Sequence, residues 1–213
     1  MKAGIIRGAL VVLGLGVSHA AQGAVIYDNG GPDQVYGTNM SEQLVAENFT
    51  LGADTSITGI RFWSIQDAAD SYRGSVYWAV YTDLPGEPGA ILQSSTSGAV
   101  GSATGNFTGF GYAEYSFDIA VSFVLTAGDY WLVLHNGPVG DNDPSEMLWS
   151  TTAVPVGSES RYLDSTFGWV GTGNEQAFQL DGVAVTPGEV PEPSTLAMLF
   201  GGLLAARALR RKA

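Results

Sequence analysis

An enzyme needs an activated group, and this chain offers few. Beyond the first 23 residues the only histidine is His135, and the chain has no cysteine. A lone histidine, with no Gly-x-Ser-x-Gly elbow, does not make a nucleophile triad. Neither a His-Glu-x-x-His zinc motif nor a phosphate-cradling glycine loop is present. Paired carboxylates can hydrolyse a glycosidic bond, but spacing singles out no pair here. The residues therefore point to a protein that is not an enzyme and has no organic cofactor. The densest polar cluster is Asp141-Asn142-Asp143-Pro144-Ser145-Glu146. Asp141, Asp143 and Glu146 could offer hard oxygen ligands to calcium. The same residue types also suit a solvated turn. The cluster lacks the glycine and the distant glutamate of an EF-hand loop. Asp67 and Asp70 form a sparser acidic pair. Trp149, Tyr162, Phe167 and Trp169 lie in irregular sequence and are candidates for an exposed platform that stacks on sugar rings. Core packing is the competing role for each of them. A carbohydrate-binding module, with or without calcium, is thus the alternative function.

Charge narrows the partners. All 21 acidic residues lie from Asp28 onward, and between residues 24 and 189 the only basic side chains are Arg61, Arg73 and Arg161. Setting aside Glu192, that stretch holds 20 acids against 3 bases, a net charge of −17. Nucleic acids and anionic lipids need a basic footprint, so this region is not built for them. Acidic polysaccharide would be repelled unless cations bridge the two. Without disulfides, stability must come from core packing. About 165 residues suffice for one such core.

The elements that must hold these residues read as strands. Ala113 to Ile119 alternates, with Ala113, Tyr115, Phe117 and Ile119 on one face and Glu114, Ser116 and Asp118 on the other. That period of two marks a half-buried antiparallel strand. Gly74 to Thr82 places Val76, Trp78 and Val80 opposite Tyr77, Ala79 and Tyr81. From Tyr130 to His135 both faces are apolar, as in a central strand. Ile57 to Ile65, Gln43 to Leu51, Glu146 to Thr152 and Gln176 to Val185 are further strands, and Val25-Ile26-Tyr27 is a first one. Trp63, Trp78 and Trp131 sit in strong strand patterns and are expected in the core. Asp83-Leu84-Pro85-Gly86-Glu87-Pro88-Gly89 carries two Pro-Gly turn signals. Ser94 to Gly109 is small and polar, and reads as a loose connection with one weak strand. The fold class is all-β, an antiparallel β-sandwich of jelly-roll-like type.

Both ends carry targeting signals. Lys2 and Arg7, an apolar run from Ile5 to Val17 and small residues up to Gly23 describe a secretory signal peptide over residues 1–23, to be removed by signal peptidase. Residues 24–189 form the exported domain. The C-terminal segment, residues 190–213, begins Val190-Pro191-Glu192-Pro193-Ser194-Thr195. An apolar run and a basic end follow, with Arg207, Arg210 and Arg211. The run is shorter than the roughly 20 residues of an ordinary span, and the basic end favours the cytoplasmic side. Helices are expected over both apolar segments, flanking the sandwich. Motif, apolar run and arginine cluster, in that order, resemble the PEP-CTERM sorting signal. The resemblance implies an exosortase as partner, transient anchoring in the inner membrane, and delivery to the cell envelope or the extracellular polysaccharide matrix. Val190, Pro191, Glu192 and Pro193, with Arg207, Arg210 and Arg211, would be the sorting residues. The order of Ala46-Glu47-Asn48-Phe49-Thr50-Leu51, Ile60-Arg61-Phe62-Trp63, Trp78-Ala79-Val80-Tyr81 and Ala127-Gly128-Asp129-Tyr130-Trp131-Leu132 is also similar to exported sandwich domains found ahead of such tails.

Overall fold

A computed structural model describes residues 23–67, 71–141, 145–153 and 159–185. The signal-peptide and sorting-signal segments, with the helices expected there, lie outside the described residues. Thirteen strands are described: β1 Ala24–Asp28, β2 Pro32–Asn39, β3 Val45–Leu51, β4 Thr55–Gln66, β5 Val76–Leu84, β6 Glu87–Ser97, β7 Val100–Phe107, β8 Ala113–Leu125, β9 Gly128–Asn136, β10 Met147–Thr152, β11 Arg161–Asp164, β12 Gly168–Gly171 and β13 Phe178–Ala184. All named pairs are antiparallel.

The strands form two sheets. The first is organised by β4, whose 12 residues serve three neighbours. Along one side it pairs with β8 over its whole length, and β8 carries β7 at the edge. Along the other side Thr55 to Phe62 pair with β13, and Ser64 to Gln66 pair with β10. β13 and β10 thus lie end to end against one strand, with β1 outside β13 and β2 outside β10. The second sheet runs β12-β11-β3-β9-β5-β6.

The alternation in sequence sets which side chains meet between the sheets. Phe49, Leu51, Val76, Trp78, Val80, Leu132 and Leu134 come from the second sheet. Ile57, Ile60, Phe62, Phe117, Ile119, Trp149, Phe178 and Leu180 come from the first, and all belong to one buried cluster. Phe62 stacks on Phe117 with centroids 5.3 Å apart, and Trp149 meets Phe62 and Phe178 edge-on. Trp78 and Phe117 are therefore core residues as expected, and Tyr115 packs against that core from a half-buried position.

One expectation is met in an unexpected place, and two need correction. Trp131 is fully buried, but not between the sheets. With Ala46, Ala79, Tyr81 and Val133 it forms a second cluster on the outer face of the second sheet, covered by Leu44, Tyr77 and Trp169. Trp63 alternates with the core residue Phe62, so it points to the outer face of the first sheet and is half-buried. Finally, Ser94 to Gly109 is not a loose connection. Its first part completes β6 and its second forms β7, two edge strands whose side chains are nearly all exposed. Edge strands exposed on both faces have no alternation to betray them.

Candidate functional site

The acidic loop is turned towards protein partners in its described part. Asp141 Oδ2 lies 3.6 Å from Arg73 Nη2. Glu146 Oε2 accepts a 2.6 Å hydrogen bond from the Tyr112 hydroxyl, which pushes the tyrosine pKa up. Asp143, the third calcium candidate, lies outside the described residues, as does Asp70. Asp67 accepts a hydrogen bond from the Ser71 hydroxyl. Among the described residues no three carboxylates or histidines are grouped to hold a metal ion.

The aromatic candidates separate. Trp149 is 0 % exposed, and its indole Nε1 donates to the Ala177 carbonyl at 2.9 Å. It is a core residue and cannot face a sugar, because β10 is wedged between β4 and β2 with this side chain pointing inward. Tyr162 and Trp169 are both half-buried on the β11–β12 hairpin. Leu163 is registered opposite Trp169, and Tyr162 opposite Val170. Cross-strand partners share a face and successive residues alternate. Tyr162 and Trp169 therefore lie on opposite faces and do not make one platform. Phe167, at the hairpin turn, is 80 % exposed.

Trp169 closes the outer face of the second sheet. Its ring meets Tyr81 edge-on at 6.0 Å. β12 and β5 are four strand steps apart in that sheet, which in a flat sheet is roughly 19 Å. The sheet is therefore curled, and the guanidinium of Arg161 reaches the β5–β6 turn beside Gly86. On the floor of this concavity Trp131 Nε1 donates to Asp83 Oδ1 at 2.7 Å. Burial pushes the Tyr81 hydroxyl up to about 12, with Tyr77 adding to the shift.

The exposed aromatic surface lies elsewhere, on the outer face of the first sheet. A cleft of about 260 Å³ runs between β2 and the β7–β8 turn, lined by Val35, Tyr36, Gly37, Ile65, Thr108, Phe110, Tyr112 and Leu148. Tyr36 and Phe110 are 59 % and 76 % exposed. Glu114, registered opposite Ile65 on the same face, is buried. Its Oε1 accepts from Asn106 Nδ2 at 3.0 Å, and its Oε2 has no hydrogen-bond partner among the described residues. The sequence reading missed this cleft because Tyr36 and Phe110 sit in turn-rich, non-alternating stretches.

A second buried carboxyl group was also missed. Glu47 is 0 % exposed on β3, between the core residues Val45 and Phe49. It accepts hydrogen bonds from the backbone N–H of Asn48 and of Gln176. Burial nevertheless pushes its pKa well above the usual carboxylate value, with Glu175 adding to the rise. Tyr27 is raised for the same reasons, and its hydroxyl donates to Asn29 Oδ1. The signal was present: Val45, Glu47, Phe49 and Leu51 share one face by simple alternation.

The match to known proteins lies in the C-terminal tail. The sequence model of the PEP-CTERM protein-sorting motif matches residues 189–212. No curated protein matches the chain. The motif spans Val190, Pro191, Glu192 and Pro193 together with Arg207, Arg210 and Arg211, all outside the described residues. It marks an exported protein sorted by exosortase, with transient anchoring in the membrane.

Proposed function

We propose that this exosortase-sorted protein is a non-enzymatic component of the cell envelope or the extracellular polysaccharide matrix. The sorting motif at residues 189–212 carries the reading. Signal peptidase would act at the other end. The sequence carries none of the catalytic motifs sought, which favours a structural or binding role over catalysis. The crossing of the chain between sheets at β3–β4–β5 and again at β8–β9–β10 supports a jelly-roll-like sandwich.

The test is the fate of the tail. Intact-mass measurement on protein from an exosortase-bearing host should show a chain ending within or beside Val190 to Thr195. The same gene in a strain without the exosortase should yield the longer form. Recovery of a chain ending at Ala213 from the first host would overturn the proposal.

Carbohydrate binding is the second reading, supported by the cleft around Tyr36, Phe110 and Tyr112. Exposed rings offer faces to sugar C–H groups, and carboxylates and hydroxyls accept from sugar hydroxyls. The domain's net negative charge favours a neutral glycan. Glycan-array binding that is lost in Tyr36→Ala and Phe110→Ala, and kept in Phe167→Ala, would support it.

A further inference from the structure

Between Glu87 and Glu114 the chain carries no charged side chain and no histidine, a run of 26 residues in a domain whose other surfaces are strongly acidic. The fold places this run on one side of the sandwich. It forms β6, which among the described residues pairs only with β5, and β7, which pairs only with β8, so each is the edge of its sheet. Both strands present exposed apolar side chains: Ile91 53 %, Leu92 43 %, Val100 71 % and Phe107 63 %.

Soluble sandwiches usually blunt such edges with charge, proline, bulges or short length. The other edges of this molecule follow that rule, β7 through the break in its register between Ala103 and Phe107. β12 has four residues, and β1 has five and ends at Asp28. β2 opens with Pro32-Asp33 and is kinked at Gln34, which has φ of 61°. β6 opens with Glu87 and Pro88 and is bulged at Leu92, between Ile91 and Gln93, but beyond the bulge it carries no charge or proline and its register with β5 runs unbroken from Gln93 to Ser97.

We infer that the β6 edge is an interface for a second copy of this chain. The two β6 strands pair antiparallel about a two-fold axis and merge two six-stranded sheets into one. Charge selects this partner and this face. Two copies, each at −17, repel wherever their acidic surfaces approach. The neutral edge is where the unpaired backbone groups of both can meet without facing like charges. A two-fold contact uses the same patch twice, so one neutral patch is enough. The inference goes beyond the proposed sorting and matrix role and does not depend on it.

The test uses the processed protein as the host exports it. Sedimentation velocity over a wide concentration series should show a monomer–dimer equilibrium that strengthens with added salt, because screening weakens the residual repulsion. Leu92→Lys with Ser94→Lys puts like charges across the contact and should raise the dimer dissociation constant about tenfold or more. Phe167→Lys, at the exposed β11–β12 turn, adds positive charge elsewhere and should leave the dimer in place. Hydrogen exchange of the parent supplies a readout independent of any variant's folding: amides of residues 90–97 should gain protection as concentration rises, and those of β12 should not. A monomer at every concentration, a dimer unaffected by the double lysine change, or a dimer without added protection in β6 would each overturn the inference.

Discussion

Glu47 shows how one buried group sets a pH response. Its carboxyl group lies in the interior with two backbone donors and, among the described residues, no cation beside it, so burial favours the neutral form. A folded-state pKa above the unfolded value means that the folded protein binds the extra proton. The contribution is therefore fully present below the usual value near 4.5. It is lost as pH rises towards the folded value. In Glu47→Gln this term disappears. The parent's stability minus the variant's should fall as pH rises from acid, read by urea unfolding at a series of pH values. A difference that stays constant with pH would show that the group is ionised in the fold. Trp149 poses a simpler case. Trp149→Ala removes a fully buried ring that touches Phe62 and Phe178, and should cost roughly 3–5 kcal/mol in the same unfolding assay. A loss below about 1 kcal/mol would mean an exposed ring.

At the scale of elements, legibility followed burial. β8 and β5 could be read because one face of each is wet or differently packed, and the alternation of Tyr115, Phe117 and Ile119, or of Val76, Trp78 and Val80, records it. β9 read as central because it is flanked by β3 and β5 and apolar on both faces. β6, β7, β11 and β12 left no such record, since short or doubly exposed strands are specified by partners distant in sequence. Trp149 was left open between platform and core for a related reason. Its strand is continued by the bridge from Thr151 to Gln176 and by the bond to Ala177, contacts that no local pattern announces. The split of Tyr162 from Trp169 likewise follows from hairpin register rather than composition. The hairpin also makes a prediction. Trp169 is its main contact with the outer cluster around Trp131 and Tyr81. Trp169→Ala should speed hydrogen exchange across residues 161–171 and expose Trp131 to fluorescence quenchers, with β4 and β8 still protected. Unchanged protection in the hairpin would show that its short pairing with β3 suffices alone.

The whole molecule carries a surplus of negative charge with few internal counterparts. Arg61 pairs with Asp118 at 2.7 Å and Arg73 with Asp141 at 3.6 Å, both at exposed positions of small energetic worth. Salt should therefore raise the melting temperature by general screening. Since Asp141 and Glu146 are engaged with Arg73 and Tyr112, calcium at matched ionic strength should stabilise the parent and Asp143→Ala alike. A calcium gain confined to the parent would instead locate a site in that loop. The placement of the chain ends has a mechanical consequence. β13 is the last described strand, and it lies between β1 and β4 with Ala24 opposite Gly182. While the domain is transiently anchored by its C-terminal tail, a pull on that tail enters the described residues at Val185, directly after β13, and its component along the strand acts on both of the strand's ladders. Hydrogen bonds of an antiparallel ladder run across the strands. Such a pull therefore shears two ladders at once instead of peeling them open bond by bond. β4 then passes the force on to β8 and β10, so while the protein is transiently anchored, the end that is held is also the end at which the domain resists being torn apart.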